Sequence, residues 1–512
     1  MSMDIVQSHE RMKGQVPVKL KEQSVAEQKR EGKSPAERRG FPRIITTLPV
    51  ELLQNHVKGS ILNLGETGVC FEVEGPVPIG KEDLLLSVNF SPFYPKPIQF
   101  PIGIVWRSPH VGNKVRIGAR FSTSSGASVS LVRDFLFDAY AEKASAHIKD
   151  DVNLKAKVHD FFRKDVRQYH EDLSALALEI GNQEDEQPEI EKKLTGLTSN
   201  LLMKAGSLEK DVDAISMKKI KQIFRELIGS SVYQGHLVKM AYEKPRGYPG
   251  DYILFEAIYE NRPKSEGIGR YLDRCFLSES YTIAVRNRKD KMKVILKDFI
   301  ENSQLSYIRL LNVACGPCRE VRELFSEPLR LNGRRITFTG LDHDEGALEL
   351  SRMLLNQLPP NVEARFFKEN VLSLFRDSKY VDLLGKQDVI YILGLSEYLP
   401  DRIFKKLVHF LFQLLNEKGM LVITYKDKNI PFPALPPDWF CDWTFVKRTE
   451  EDLMNMAKEL GEGRYSLRIE REGTGCIFFL ILTKILSETD TTPLCADLVD
   501  SQQVISPPES TL

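Results

Sequence analysis

From about Ser306 to Leu482 short apolar runs of β type alternate with stretches of helical period. Residues 308–313, 336–341, 364–367, 389–393 and 419–424 read as strands, and 320–325, 347–358 and 403–415 as helices. This alternation argues for a doubly wound, mostly parallel sheet. In such a sheet a ligand binds at the carboxyl ends of the strands, where the strand order reverses.

The first of these strand ends is Leu311-Asn312-Val313-Ala314-Cys315-Gly316-Pro317-Cys318-Arg319-Glu320. Small residues permit a tight turn and let a ligand approach the backbone, and the helix that follows favours an anionic group at its N-terminus. The stretch resembles motif I of class I S-adenosylmethionine (SAM) methyltransferases, usually Leu-Asp-Val-Gly-Cys-Gly-Pro-Gly. It departs at Asn312, Ala314 and Cys318. Further stretches fit that resemblance in order. Phe338 to Asp342 ends a strand in an acid, which can accept both hydroxyls of a ribose. Asn370 follows the third strand, where the family usually has an Asp facing the adenine amino group. Residues 387–399 resemble motif IV, 415–423 the turn into the fifth strand, and 473–480 the last, antiparallel strand. The resemblance implies a SAM site built on Asn312, Ala314, Cys315, Gly316, Asp342 and Asn370. A NAD site needs Gly-x-Gly-x-x-Gly, which is absent here. Cys315 and Cys318 read as small turn residues rather than metal ligands, and no metal is expected. His343 reads as a loop histidine packing near the cofactor.

Residues 146–300 read as mostly helical, with periodic stretches at 211–227 and 280–300. The second leads straight into the first strand, and Arg286 or Arg288 on it can pair with the methionine carboxylate; Arg288 is the candidate retained. The stretch 244–252, rich in Pro and Gly, forms a defined loop and a candidate lid. This block with its α/β core is similar to bacterial methyltransferases associated with 3-hydroxy fatty acid methyl esters, which implies carboxylate O-methylation of an acyl substrate. Such a nucleophile needs no base, so the catalytic residue stays open, with Tyr248, Asp251, Glu397 and Tyr425 as candidates.

Residues 36–137 show short β runs punctuated by Gly and Pro, which suggests a small barrel or sandwich closed by a helix over 128–140. Arg39 and Arg43 form Arg-x-x-x-Arg, with Arg38 beside them, and Asn63, Gly65 and Gly68 follow as Asn-x-Gly-x-x-Gly. This pair resembles the motifs of the PilZ domain, with Gly65 at the usual Ser position. The resemblance implies cyclic di-GMP binding by Arg38, Arg39, Arg43, Asn63, Gly65 and Gly68; arginines on an arm can pair with phosphates and a guanine edge.

The chain of 512 residues is too long for one core. The division expected is a disordered arm at 1–35, a PilZ-like β-barrel at 36–145, a helical linker and cap at 146–300, a methyltransferase with an α/β Rossmann-like fold at 301–485, and a disordered tail at 486–512. Lys+Arg and Asp+Glu balance at 71 each, so bulk charge gives no reason to expect nucleic acid as a partner. Seven scattered cysteines fit a reducing cytoplasm. No signal peptide is read at the N-terminus, and no apolar run approaches the ~18 residues that span a bilayer. The function expected is SAM-dependent methyl transfer to a small or acyl carboxylate, regulated by cyclic di-GMP. The alternatives are a signalling adaptor without enzymatic activity and, less supported, an RNA or protein methyltransferase.

Overall fold

The computed structural model describes residues 43–75, 77, 84–91, 93–108, 113–122, 126–180, 187–430, 434–461 and 463–485. Arg38, Arg39, the arm at 1–35 and the tail at 486–512 lie outside the described residues. The described residues fall into two compact units: those up to 167 with 226–231, and 168–225 with 232–485. No described helix is long and apolar enough to cross a membrane.

The first unit carries seven described strands: β1 (Arg43–Ile45), β2 (Pro49–Leu52), β3 (Val57–Gly65), β4 (Gly68–Glu74), β5 (Leu84–Val88), β6 (Ile98–Arg107) and β7 (Lys114–Phe121). The order β3-β2-β5-β6-β7-β4 closes on itself through β3–β4, and every pairing is antiparallel, so six strands form a barrel. Closure removes the exposed edges that an open sheet would present. Inward positions alternate as the pleat requires: Val69, Phe71 and Val73 on β4 are buried, as are Phe100 and Ile102 on β6. The helix Gly126–Ser145 buries Val132, Phe135 and Leu136, and the Phe135 ring lies 4.9 Å from that of Phe90. It extends beyond the expected 128–140 at both ends. β1 stands outside the ring and pairs with the far end of β3, Arg43 opposite Gly65 and Ile45 opposite Asn63.

The second unit contains a seven-stranded sheet built from β8 (Tyr307–Val313), β9 (Arg335–Asp342), β10 (Val362–Lys368), β11 (Gln387–Ile392), β12 (Leu415–Lys426), β13 (Tyr465–Arg471) and β14 (Ile477–Lys484). Its order is β10-β9-β8-β11-β12-β14-β13. The first five strands are mutually parallel, and β14 runs antiparallel between β12 and β13. Counted within the sheet this is 3-2-1-4-5-7-6 with the seventh reversed, the arrangement of the class I methyltransferase fold. Strand parity divides the core. Ile308 and Leu310 face one apolar layer with Met292 and Leu296, while Leu311 and Val313 face another with Phe404, Leu407 and Leu411. β13 was not read in the sequence. It is an edge strand whose Arg468, Glu470 and Arg471 mask the alternation of Tyr465, Leu467 and Ile469. β12 starts four residues before the expected 419.

The helical block includes Pro188–Glu209, Ala214–Val232, His236–Glu243, Tyr252–Glu260, Ile268–Ser278 and Ser280–Asn302. Ser280–Asn302 buries Tyr281, Ala284, Val285, Arg288 and Met292, positions repeating at three and four residues.

Candidate functional site

The strand order reverses between β8 and β11, and the candidate residues gather at that end of the sheet. After β8 the chain makes an unusual turn. Ala314, Gly316 and Cys318 all take left-handed backbone, at φ 56°, 52° and 52°. Ala314 and Cys318 stand where the related motif has glycine, so the glycine conformation is kept without the glycine, at a cost of roughly 1–2 kcal/mol per residue. The turn is held from outside. The Cys315 N–H donates to the Leu341 carbonyl, the Gly316 N–H to Asp342 Oδ2 at 2.7 Å, and the Ser351 hydroxyl to the Gly316 carbonyl. Burial pushes the Cys315 thiol up, which keeps it protonated. Among the described residues no group of three His, Cys, Asp or Glu could hold a metal ion.

Asp342, the last residue of β9, therefore ties two strand ends together, since its Oδ1 also accepts the Asp344 N–H at 2.9 Å. His343 lies beside it, and its hydrogen bond to Asp342 raises the imidazole pKa. Asn370 caps the short helix Val371–Leu374 by accepting the Leu372 N–H, and it is exposed.

Asn312 is buried. Its Nδ2 donates to Glu320 Oε1 at 3.0 Å, and the Tyr391 hydroxyl donates to the same oxygen at 2.8 Å. The acid that the motif lacks at 312 is thus present eight residues later, on the first turn of the helix Arg319–Ser326. Burial raises the Glu320 pKa. The Asn312 amide oxygen, Oδ1, is buried with no hydrogen-bond partner.

Arg288 is 2% exposed, and its guanidinium lies against Gly394, just past β11. Gly394 has φ 84°, which favours glycine, and a Cβ there would press on the guanidinium, 2.5 Å from Arg288 Nη1. Arg288 Nη1 is 3.5 Å from Glu397 Oε1, the same oxygen that accepts from Lys426 Nζ at 2.7 Å. Burial opposes the Glu397 charge, yet the two cations overcome it and hold the carboxyl below its usual range. The three side chains are a buried cluster with one net positive charge. Arg288 Nε is buried without a partner. Such a cluster favours an anion, because an uncompensated charge away from water is costly.

The loop before Tyr252–Glu260 is clamped onto this end of the sheet. Arg246 donates to both oxygens of Asp344, at 2.9 and 2.5 Å, and the Tyr248 hydroxyl donates to Oδ2 at 2.9 Å. The Arg246 guanidinium, with Tyr248, holds the Asp344 carboxyl down to about 2. Asp344→Asn keeps the helix cap to the Gly346 N–H but gives up the bidentate pair. We expect trypsin to cut after Arg246 several-fold faster in that variant, whereas an unchanged cleavage rate means that the clamp does not hold the loop.

The catalytic candidates separate. Asp251 is buried and accepts the Ile253 and Leu254 N–H groups, so its carboxylate is committed to capping a helix. Tyr425 packs on Phe404 in the core between the sheet and the helix Asp401–Gln413. Its neighbour Lys426, which was not singled out from the sequence, points the other way, toward an apolar chamber. Glu397 is held in the buried cluster, and Tyr248 faces Asp344. Asp344, Glu320 and Glu279 were also missed. Of these only Asp344, two residues beyond Asp342 and ahead of a helix, carried a signal, that of an N-cap.

In the first unit Gly65 and Asn63 lie opposite Arg43 and Ile45, so the two short motifs are brought together by the β1–β3 pairing. Gly68 is required by packing: a Cβ there would sit 2.5 Å from the Ala119 carbonyl oxygen. Glu66, in the turn between them, is fully buried and paired with Arg133 at 3.0 Å.

Residues 37–138 match the family model of the PilZ domain. No curated protein matches the chain. Among solved structures, the chain is similar to a possible exported protein from Bordetella parapertussis, at 16% identity over 63% of this chain and 96% of that one, TM-score 0.36. It is similar to a magnesium protoporphyrin IX methyltransferase from Synechocystis PCC 6803 with bound SAM, at 12% identity over 40% and 83%, TM-score 0.29. It is also similar to a SAM-dependent methyltransferase from Methanosarcina mazei, at 19% identity over 37% and 98%, TM-score 0.28. At these identities and TM-scores such likenesses say nothing of this chain's chemistry.

Proposed function

We propose that this chain, which carries a PilZ domain, is a SAM-dependent methyltransferase acting in the cytoplasm on a small or acyl carboxylate and regulated by cyclic di-GMP. The observation that carries the reading is the convergence at the switch point. An acid ends β9 and bonds the left-handed turn after β8, and a buried arginine with one unpartnered nitrogen lies beyond β11.

The residues fit the cofactor. Asp342 would take the ribose hydroxyls, and the turn at Ala314, Cys315 and Gly316 would let the nucleoside approach the backbone. Arg288 would take the methionine carboxylate, whose charge balances the Arg288–Glu397–Lys426 cluster. Asn312 Oδ1 is an acceptor for the ammonium, with the Glu320 charge behind it. Asn370, at the end of the strand beyond Asp342, would meet the adenine. SAM supplies a methyl on a sulfonium sulfur, which an oxygen nucleophile takes while the C–S electron pair stays on sulfur. The protein's part is to orient the acceptor and exclude water, so positioning suffices and no catalytic base is required.

Cyclic di-GMP would bind where Arg43, Asn63, Gly65 and Gly68 meet, with Arg38 and Arg39 closing over it. Regulation then requires that the dinucleotide prefer one state of the enzyme. Separate calorimetric titrations of the full chain with SAM and with cyclic di-GMP test both halves. SAM binding in the micromolar range supports the enzyme. Binding of the dinucleotide alone returns the chain to an adaptor role. Equal methylation rates with and without bound dinucleotide remove the regulatory link.

A further inference from the structure

Beside the Arg288–Glu397–Lys426 cluster lies an apolar chamber of about 770 Å3, counting its mouth. Tyr281, Val285, Phe440, Trp443 and Phe445 form much of its wall, and Lys426 and Glu279 also line it. It abuts the proposed cofactor site. Tyr281, Val285 and Arg288 follow one another along one face of Ser280–Asn302, so Val285 is less than one helical turn, roughly 5 Å, from Arg288. The Lys426 ammonium sits over the Phe445 ring at 4.0 Å and the Tyr281 ring at 5.2 Å, at the chamber's end nearest Glu397. The Tyr281 hydroxyl is buried and has no hydrogen-bond partner.

Glu279 precedes Ser280–Asn302 as its N-cap, yet its side chain caps nothing. Burial alone pushes its carboxyl up to about 7. The other titratable groups around it are the Tyr169 phenol and the Cys275 and Cys441 thiols, from three different helices, with Lys426 from β12 and Tyr281 from its own helix. Burial raises the pKa of the phenols and both thiols, Cys275 to about 11 and Cys441 to about 12, so all of them are neutral at pH 7. Among the described residues lining the chamber, Glu279 and Lys426 are therefore the groups left to carry charge; burial lowers the Lys426 pKa, and the Glu397 carboxylate acts against that shift.

We propose that this chamber is the acceptor pocket of the transferase, that it takes a carboxylic acid with an apolar body, carboxylate against Lys426, and that Glu279 gates it by charge. The inference rests on the methyl-transfer reading above. An aliphatic or aryl body fits walls with so few polar groups, since burial of apolar surface is favourable while an unpaired polar group would be stranded. When Glu279 is protonated, the Lys426 ammonium, shared with Glu397, is the charged group nearest the acid. When it ionises, a second negative charge shares the same low-dielectric space and repels the acceptor. Anionic acceptors therefore bind more weakly as pH rises through the Glu279 pKa.

The test uses the full chain saturated with S-adenosylhomocysteine, which blocks turnover, and decanoate as the probe in calorimetry at pH 6 and pH 8. Decanoate is ionised at both. The expected result is binding about tenfold tighter at pH 6 than at pH 8, with Glu279→Gln abolishing the difference. Lys426→Met should weaken binding at both pH values by at least about tenfold; Glu279→Gln serves if that variant does not fold. A pH dependence that persists in Glu279→Gln overturns the gate. Absence of decanoate binding in protein that holds S-adenosylhomocysteine overturns the pocket and leaves the methyl-transfer reading standing. Failure to bind S-adenosylhomocysteine takes down that reading, and this proposal with it.

Discussion

Replacing Asn312 by Asp, which restores the residue usual in the related motif, is expected to destabilise the second unit by about 3 kcal/mol at pH 8. The reason is Glu320. Its carboxylate already occupies this buried position, 3.0 Å from Asn312 Nδ2 and 2.8 Å from the Tyr391 hydroxyl. An Asp at 312 turns that donor into a second acceptor and sets two carboxylates against each other away from water. They must then share a proton, so the pair holds more protons folded than unfolded above the usual carboxylate range. Stability of the variant should accordingly fall as pH rises from about 5 to 8. Urea unfolding at both pH values measures this. Adding Glu320→Gln gives the carboxylate a donor again, so the double variant should recover most of the loss and the double-mutant cycle should show strong coupling. A single variant as stable as the parent at pH 8 would mean that the Asn312–Glu320 contact is not the charge-bearing unit described.

This pair also marks where reading the sequence stops. The order of strands and helices was legible because short apolar-rich β runs alternate with helical periods, and Asp342 was legible because its strand ends there. The barrel motifs were legible as a spacing, which the Arg43–Gly65 register turns into a site. Asn312 looked like a lost charge because its partner lies across a turn, eight residues on. Tyr425 and Lys426 could not be told apart in advance. A strand buried on both faces has no polar alternation to say which side meets the ligand, and only the packing of Phe404 against Tyr425 decides it. Glu279 carried no signal, because the groups around its side chain, which caps nothing, come from four other elements. β13 was hidden for the opposite reason: its exposed face carries the charges that a loop would carry.

The largest functional effect should come from Asp342→Ala. The proposed role of Asp342 is to accept the ribose hydroxyls, and it has a structural task that supports the same site. Oδ2 holds the Gly316 N–H and Oδ1 the Asp344 N–H. The Gly316 bond fixes a turn in which two non-glycine residues sit in left-handed backbone, and the Asp344 bond sets the carboxylate that clamps Arg246 and Tyr248. Truncation to Ala removes the ribose acceptor and leaves two backbone donors without their partner, so both terms weaken binding. We expect SAM affinity to fall by about 100-fold, from roughly 3 kcal/mol of lost charge-assisted hydrogen bonds. Stability should also fall, by about 1–3 kcal/mol, because the Asp344 N–H is buried and the Gly316 N–H partly so, and both lose their acceptor. Asp342→Asn keeps one acceptor oxygen and should fall between Ala and the parent. The His343 ring reports independently on the same carboxylate: Asp342 raises its pKa, so imidazole resonances should titrate at lower pH in Asp342→Ala. A variant whose His343 titration shifts as expected while its SAM affinity stays at the parent value would place the ribose elsewhere, and with it the cofactor.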